Sequence, residues 1–455
     1  MRFPVPKVFT VLFLLCAGTL SPGRGSAADA VSFSREIAPV LQTKCVACHG
    51  PEEQKGGYRL DSFEHLLQPG DSGDAPITAG EPAQSLLFEL IVTEDADDRM
   101  PQKDDPLLPE FITLLKRWLA EGAAFDGGDR AQSLVELIPP TAHPAPPEFY
   151  PHAIPVLSLA RLPDGQQLAI GGYHEVLIRE LDSGKLRRRL TNLPERIHAL
   201  LPRGQRLFYA GGNPGRAGEV GILELDAADI VTQPQVLARA TDTFLALALS
   251  PDGSQFAAGG ADKSIRIIEL ATGREIRQLT QHADWVMDLA FSPDGSRLAS
   301  ASRDGTARIF DPATGEMISA FREHDSPVFA VAFLGDGRQA ASAGRDGRVR
   351  LWRVDRAEQV ASLADFGGEV FKLLAVGDNL LAAGAAGDVR EIIVADRKVG
   401  QRWPTSRSGA VLVLTRDDAS GRLIAGLDSG ELVSWPAQAG EAVHFFEPWP
   451  RADGK

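Results

Sequence analysis

The chain has 455 residues, 44% apolar and 24% charged, enough for two or three packed domains and unlike a disordered polypeptide. Its formal charge of −14 lacks the basic footprint of a general nucleic-acid binder, so no nucleic-acid partner is expected. Three cysteines, Cys16, Cys45 and Cys48, are too few for a disulfide scaffold or a multi-cysteine zinc domain.

The first predicted element is a targeting segment. Residues 1–28 hold Arg2 and Lys7, an apolar run from Val8 to Leu15 and small residues ending Gly25-Ser26-Ala27-Ala28, the pattern of a cleaved signal peptide. Pro4, Pro6 and Pro22 bracket the run and argue against a buried helix. Leu15 is bulkier than a lipid-attachment site at Cys16 would accept. No later segment offers the roughly 18 apolar residues of a membrane helix. The expectation is a soluble or peripheral protein of the periplasm or another extracytoplasmic compartment, with no transmembrane segment.

The two cysteines beyond the signal lie in Lys44-Cys45-Val46-Ala47-Cys48-His49-Gly50, a C-x-x-C-H segment. The spacing suits one covalent haem c: two thiols add to the two vinyl groups, and the adjacent imidazole reaches the iron. A zinc site would have only three local ligands. A thioredoxin-like pair would need a βαβ setting that is absent here. A bare disulfide would be strained and leave His49 without a role. For the sixth position, residues 29–130 offer Met100 and His65. Met100 sits among charges and proline in Asp97-Asp98-Arg99-Met100-Pro101, a poor core setting and a good ligand loop, so it is favoured over His65 or an open position. Met/His ligation favours electron transfer over oxygen chemistry.

Helical spacing of Ile37, Val40 and Leu41 leads into Cys45, with Pro39 tolerable near a first turn. A second helix from Pro109 to Glu121 aligns Phe111, Leu114, Leu115, Trp118 and Leu119, with Gly122 as its stop. The run Phe33-Ser34-Arg35-Glu36-Ile37, the C-x-x-C-H segment, Gly56-Gly57-Tyr58-Arg59-Leu60-Asp61, Gly80-Glu81-Pro82, Arg99-Met100-Pro101 and Trp118-Leu119-Ala120-Glu121-Gly122 together resemble the planctomycete-type cytochrome c domain over residues 31–126. The resemblance implies His49 as proximal and Met100 as distal iron ligand, and haem attachment outside the cytoplasmic membrane.

Six prolines between Pro139 and Pro151 predict a semi-rigid spacer within a linker at 127–152. Beyond it the chain repeats. Pro163-Asp164-Gly165, Pro251-Asp252-Gly253, Pro293-Asp294-Gly295 and Gly335-Asp336-Gly337 recur at steps of 42 residues or a double step of 88, between short apolar strands. Seven units start near residues 153, 195, 240, 282, 325, 368 and 407, a period that predicts a propeller of four-stranded blades. His282, Ser300, Asp304 and Phe310, and again His324, Ser342, Asp346 and Trp352, repeat with one spacing and resemble WD repeats, in which such positions form a buried chain of hydrogen bonds. The third unit keeps Asp262 but has Ala240 for the histidine. Ser133–Ile138 is a candidate outer strand for the last blade, and Trp285 with Phe329 a candidate binding patch.

The expected fold is multidomain: an all-α cytochrome c-like haem domain followed by an all-β propeller at 153–446, seven-bladed. Residues 150–455 contain no Gly-x-Ser-x-Gly elbow and no phosphate-cradling glycine loop. The expected function is therefore single-electron transfer through a His/Met-ligated haem, the propeller docking a protein partner. The alternatives are a haem-based redox or gas sensor with a recruiting propeller, or a haem peroxidase. Residues 29–130 hold 20 acids against 9 bases, so the redox partner is expected to present a basic patch.

Overall fold

A computed structural model describes residues 30–451 apart from 47, 52, 96, 103–105, 139–142, 226–233, 406–408, 418 and 439–443. The expected signal segment lies outside the described residues. The chain divides into two compact units between residues 131 and 132. No helix among the described residues is long and apolar enough to cross a membrane.

The first unit is small and helical. A wide turn at Phe33–Ile37 runs into α1 (Ala38–Lys44), followed by α2 (Phe63–Leu66), α3 (Leu86–Val92) and α4 (Pro109–Ala120). Pro39 lies in the first turn of α1, where its missing N–H costs nothing. Helix α4 buries Phe111, Leu115, Trp118 and Leu119, and Gly122 follows it with φ +99°. An aromatic cluster fills the core: Phe33 lies 4.8 Å from Phe63 and 5.3 Å from Trp118, and Phe63 lies 4.5 Å from Phe125. The Trp118 indole N–H donates to the Ala124 carbonyl at 2.9 Å, so the largest core residue carries no unpaired polar atom.

The second unit is a seven-bladed propeller. Its blades span residues 159–191, 196–240, 244–279, 286–321, 328–365, 370–404 and 411–446, each a four-stranded antiparallel sheet. In every blade the strands are consecutive in the chain, so none is exchanged across the closure. The Asp-Gly turns explain the repeat: Gly165, Gly253, Gly295 and Gly337 all have φ between 70° and 78°, and the preceding aspartates accept backbone N–H bonds two residues on.

The ring closes through its terminal segments. The inner strand of the last blade (Val411–Arg416) meets that of the first (Leu159–Arg161), and Val156 N–H donates to the Leu427 carbonyl at 3.1 Å. Tyr150 N–H donates to the Pro450 carbonyl at 2.8 Å, and the Tyr150 and Trp449 rings lie 5.2 Å apart. Two expectations are corrected here. Ser133–Ile138 adds no strand: Leu134–Leu137 is a helical turn, α5, packed on the outer strand of the second blade (Gln235–Ala240). Ser133 and Glu136 form the spacing of a capping box, and the Ser133 hydroxyl accepts from Glu136 N–H. The proline-rich stretch is not a free spacer throughout, because residues 143–151 dock on the propeller. Arg189 donates to the Pro147 and Glu148 carbonyls, and His143 N–H donates to the Asn192 side chain.

Inside the fourth and fifth blades the predicted polar chains are present. His282 bonds Asp304 through Nδ1 at 2.8 Å and Ser300 through Nε2 at 2.7 Å; His324 bonds Asp346 at 3.1 Å and Ser342 at 2.8 Å. The Trp352 indole donates to the same Ser342 hydroxyl at 3.2 Å. The first two blades bury a different chain. Glu175 is fully buried, takes the Tyr150 hydroxyl at 2.8 Å and accepts from Arg189 Nε at 2.5 Å and Nη2 at 2.8 Å. Glu219 takes the Tyr209 hydroxyl at 2.7 Å with Arg239 beside it.

Burial holds the imidazoles of His282 and His324 below their ordinary value and pushes that of His198 down to about 4. A histidine with a depressed folded value binds protons more readily once unfolded, so stability rises with pH across its range. The contribution is complete above about pH 6.5, the unfolded value, and is lost as pH falls towards each folded value. Lowering pH from 7 to 4.5 should therefore lower the melting temperature, His198 alone supplying on the order of 2 kcal/mol. Thermal unfolding followed by circular dichroism checks this, and the slope should flatten in His198→Leu. A melting temperature flat across that interval would contradict the assignment.

Candidate functional site

Three of the predicted site residues of the first unit are carried by a turn at the C-terminal end of α1. Cys45 N–H donates to Leu41 at 2.9 Å, and Cys48 and His49 N–H both donate back to the Cys45 carbonyl, at 3.1 and 3.0 Å. The turn is pinned from outside by Lys55 N–H on the Cys48 carbonyl and Leu60 N–H on the His49 carbonyl. Only glycine fits after His49, because a Cβ on Gly50 would collide with the Val46 carbonyl. This geometry turns the two thiols and the imidazole into one cavity.

The cavity encloses about 620 Å³, within the roughly 300–1,000 Å³ usual for small-molecule and cofactor sites. Cys45, Cys48, His49 and Met100 all line it, and Tyr58, Leu60, Leu87, Leu90, Ile91 and Leu107 make most of its wall apolar. Met100 arrives on the loop after α3, where its N–H donates to the Leu90 carbonyl at 2.8 Å and Gln102 bonds back to the Asp97 carbonyl. His65 is not among the lining residues: its ring is held by Ser62 at 3.0 Å and lies 3.3 Å from Asp61. The structure thus brings together the four predicted side chains and leaves the alternative ligand outside. Residues 103–105 lie outside the described residues.

The donor set fits a covalently held haem. Cys45 and Cys48 form no disulfide, and burial, with Cys48 close by, pushes the Cys45 thiol up to about 12. A neutral thiol in an apolar wall suits a group that ends as an uncharged thioether. His49 Nδ1 is buried and has no hydrogen-bond partner among the described residues, so that nitrogen is not committed to another of them. Among the described residues no cluster of three or more His, Cys, Asp or Glu side chains could hold a free metal ion. Tyr58 escaped the site prediction; its only signal was its place in Gly56-Gly57-Tyr58.

On the propeller, six inner strands carry a β-bulge at the same place, at His198, Leu245, Met287, Phe329, Phe371 and Leu412, each half-buried. Bulges re-aim side chains, so six blades present a residue in the same way. Phe329 meets Phe371 of the next blade at 5.7 Å, and below them Asp288 accepts from Val331 N–H at 3.1 Å and Lys372 Nζ at 2.9 Å. Trp285 is exposed, with the Arg303 guanidinium 4.6 Å above its ring. Among the described residues no ring contact joins Trp285 to Phe329.

Residues 45–104 match the family model of planctomycete cytochrome C, and residues 234–269, 273–311 and 315–353 match the WD domain, G-beta repeat. No curated protein matches the chain. The chain therefore joins a cytochrome c-like domain to a WD-type propeller, the family likeness covering three repeats and the architecture seven blades.

Proposed function

We propose that the chain is an exported monohaem c-type cytochrome that transfers single electrons, with the propeller as its protein-docking platform. The observation that carries this reading is the convergence of Cys45, Cys48, His49 and Met100 on one apolar cavity. Haem, when bound, supplies a one-electron iron couple. Cys45 and Cys48 would hold it by thioethers, and His49 and Met100 would ligate its iron. Leu60, Leu87, Leu90, Ile91 and Leu107 exclude water from the site, and a low-dielectric setting of this kind disfavours the more highly charged oxidised state. Pinning of the Cys45–His49 turn and the Leu90–Met100 hydrogen bond hold both ligand segments in place, so little reorganisation accompanies a change of charge. One C-x-x-C-H segment supports one haem. The family likeness and residues 1–28 support an extracytoplasmic location, and the half-buried bulge residues with exposed Trp285 support a docking face on the propeller.

Redox titration of the haem-matured full chain, followed by absorbance, tests the reading. A single one-electron transition, low-spin spectra in both states and no carbon monoxide adduct are expected. Failure to retain haem after denaturation, or carbon monoxide binding to the untreated reduced protein, would overturn it. The net charge of −11 on residues 29–130 supports a basic redox partner. Oxidation by a cationic metal complex should accordingly slow as salt rises from 0.01 to 0.1 M and the screening length falls from roughly 30 Å to about 10 Å. An anionic complex should show the opposite trend; equal indifference of both would remove electrostatic steering.

A further inference from the structure

We propose that Tyr58 is a positioning residue for His49, fixing the plane of the imidazole from inside the cavity. The inference rests on the haem reading above and adds a residue to it. A metal-bound histidine is ordinarily oriented by a hydrogen bond from its second ring nitrogen. In this chain His49 Nδ1 is buried with no partner among the described residues, so no hydrogen bond from that nitrogen to them sets the ring angle. What the imidazole does meet is the Tyr58 ring, 5.7 Å away between centroids and inclined at 60°, within the range of attractive aromatic contacts.

Tyr58 is itself held at both ends. At its root, Gly56 and Gly57 take φ of +63° and +64° and turn the chain into the cavity wall. Gly70 abuts that turn so closely that a Cβ on it would lie 2.5 Å from the Gly56 carbonyl, 3.0 Å from the Tyr58 Cβ and 3.2 Å from the Tyr58 backbone nitrogen. Asp71 N–H donates to the Gly56 carbonyl at 2.7 Å and locks the two loops together. At its tip, the Tyr58 hydroxyl donates to the Leu66 carbonyl at 3.0 Å. The hydroxyl is thereby committed to α2 and is not offered to the iron or to a proton path. What remains for the residue is a rigid aromatic wall against the imidazole.

The test uses the haem-matured full chain, with haem content measured by mass and the ferric state by electron paramagnetic resonance. Tyr58→Leu removes the wall and should shift and broaden the principal g values and move the potential. Tyr58→Phe keeps the ring and should retain the g values of the parent. Gly70→Ala, whose Cβ would press on the Gly56 carbonyl and then on Tyr58, should displace the turn that carries the ring and so move the g values; Tyr58→Met, which fills the space without a ring, decides the matter if Tyr58→Leu does not fold. Unchanged g values in Tyr58→Leu and Gly70→Ala would overturn the proposal, as would a Tyr58→Phe change as large as that of Tyr58→Leu. Loss of the Tyr58 role with haem still attached leaves the electron-transfer reading intact, whereas a parent chain that takes no haem sinks both.

Discussion

Met100→Ala should lower the reduction potential of the haem-matured chain by about 0.1 V or more, since axial ligand identity spans roughly 0.8 V. A thioether ligand stabilises the reduced iron, so its removal favours the oxidised state. The same variant should gain a carbon monoxide adduct that the parent lacks. The expectation rests on two placements: Met100 lines the cavity with Cys45, Cys48 and His49, while His65 is held by Ser62 outside it. His65→Ala should therefore leave both spectrum and potential as they were. If Met100→Ala keeps the parent's low-spin spectrum and potential, Met100 is not a ligand. If His65→Ala moves them instead, the ligand assignments change places.

A second large effect is expected far from the haem, in the first blade. Arg189→Met should destabilise the propeller by about 3–5 kcal/mol, the usual consequence of removing one partner of a buried ion pair. Glu175 is fully buried and depends on Nε and Nη2 of Arg189 and the Tyr150 hydroxyl. The variant strips it of its counter-charge and also removes the donors that Arg189 gives to Pro147 and Glu148. The double variant Glu175→Leu/Arg189→Met should recover the part of the loss due to the uncompensated buried charge, while the Pro147 and Glu148 carbonyls and the Tyr150 hydroxyl stay without those partners. Chemical unfolding of the four proteins measures the coupling. A loss below about 1 kcal/mol for Arg189→Met would mean that Glu175 is taken up protonated and needs no counter-charge.

The two halves of the molecule were legible for different reasons. Covalent haem chemistry demands fixed residue types at fixed spacing, so Cys45, Cys48 and His49 stand out in the bare sequence, and a scarcity of methionine and histidine narrows the distal side to Met100 and His65. Blade number followed from the period: four Asp-Gly turns, each needing a left-handed glycine, leave marks at steps of 42 residues or a double step of 88, and the rhythm of short apolar strands fills in the other units. The polar chains of the fourth and fifth blades were also readable, their members lying at constant intervals within one repeat. Those of the first two blades were not. Glu175 draws its hydroxyl donor from Tyr150, which precedes the repeat in a stretch whose prolines read as a spacer, and its counter-charge from an outer strand. Tyr58 was hidden for a related reason: its contact with His49 depends on Gly70, twelve residues on, and no local pattern records that approach.

The consecutive order of strands in every blade has a consequence for how such a chain can change. A blade here is one uninterrupted stretch of coding sequence, with no strand on loan to a neighbour. Exchange of a segment of roughly 42 residues by recombination would replace one facet of the docking face and leave every other backbone ladder intact. The proposed docking face could thus be rewritten one cassette at a time.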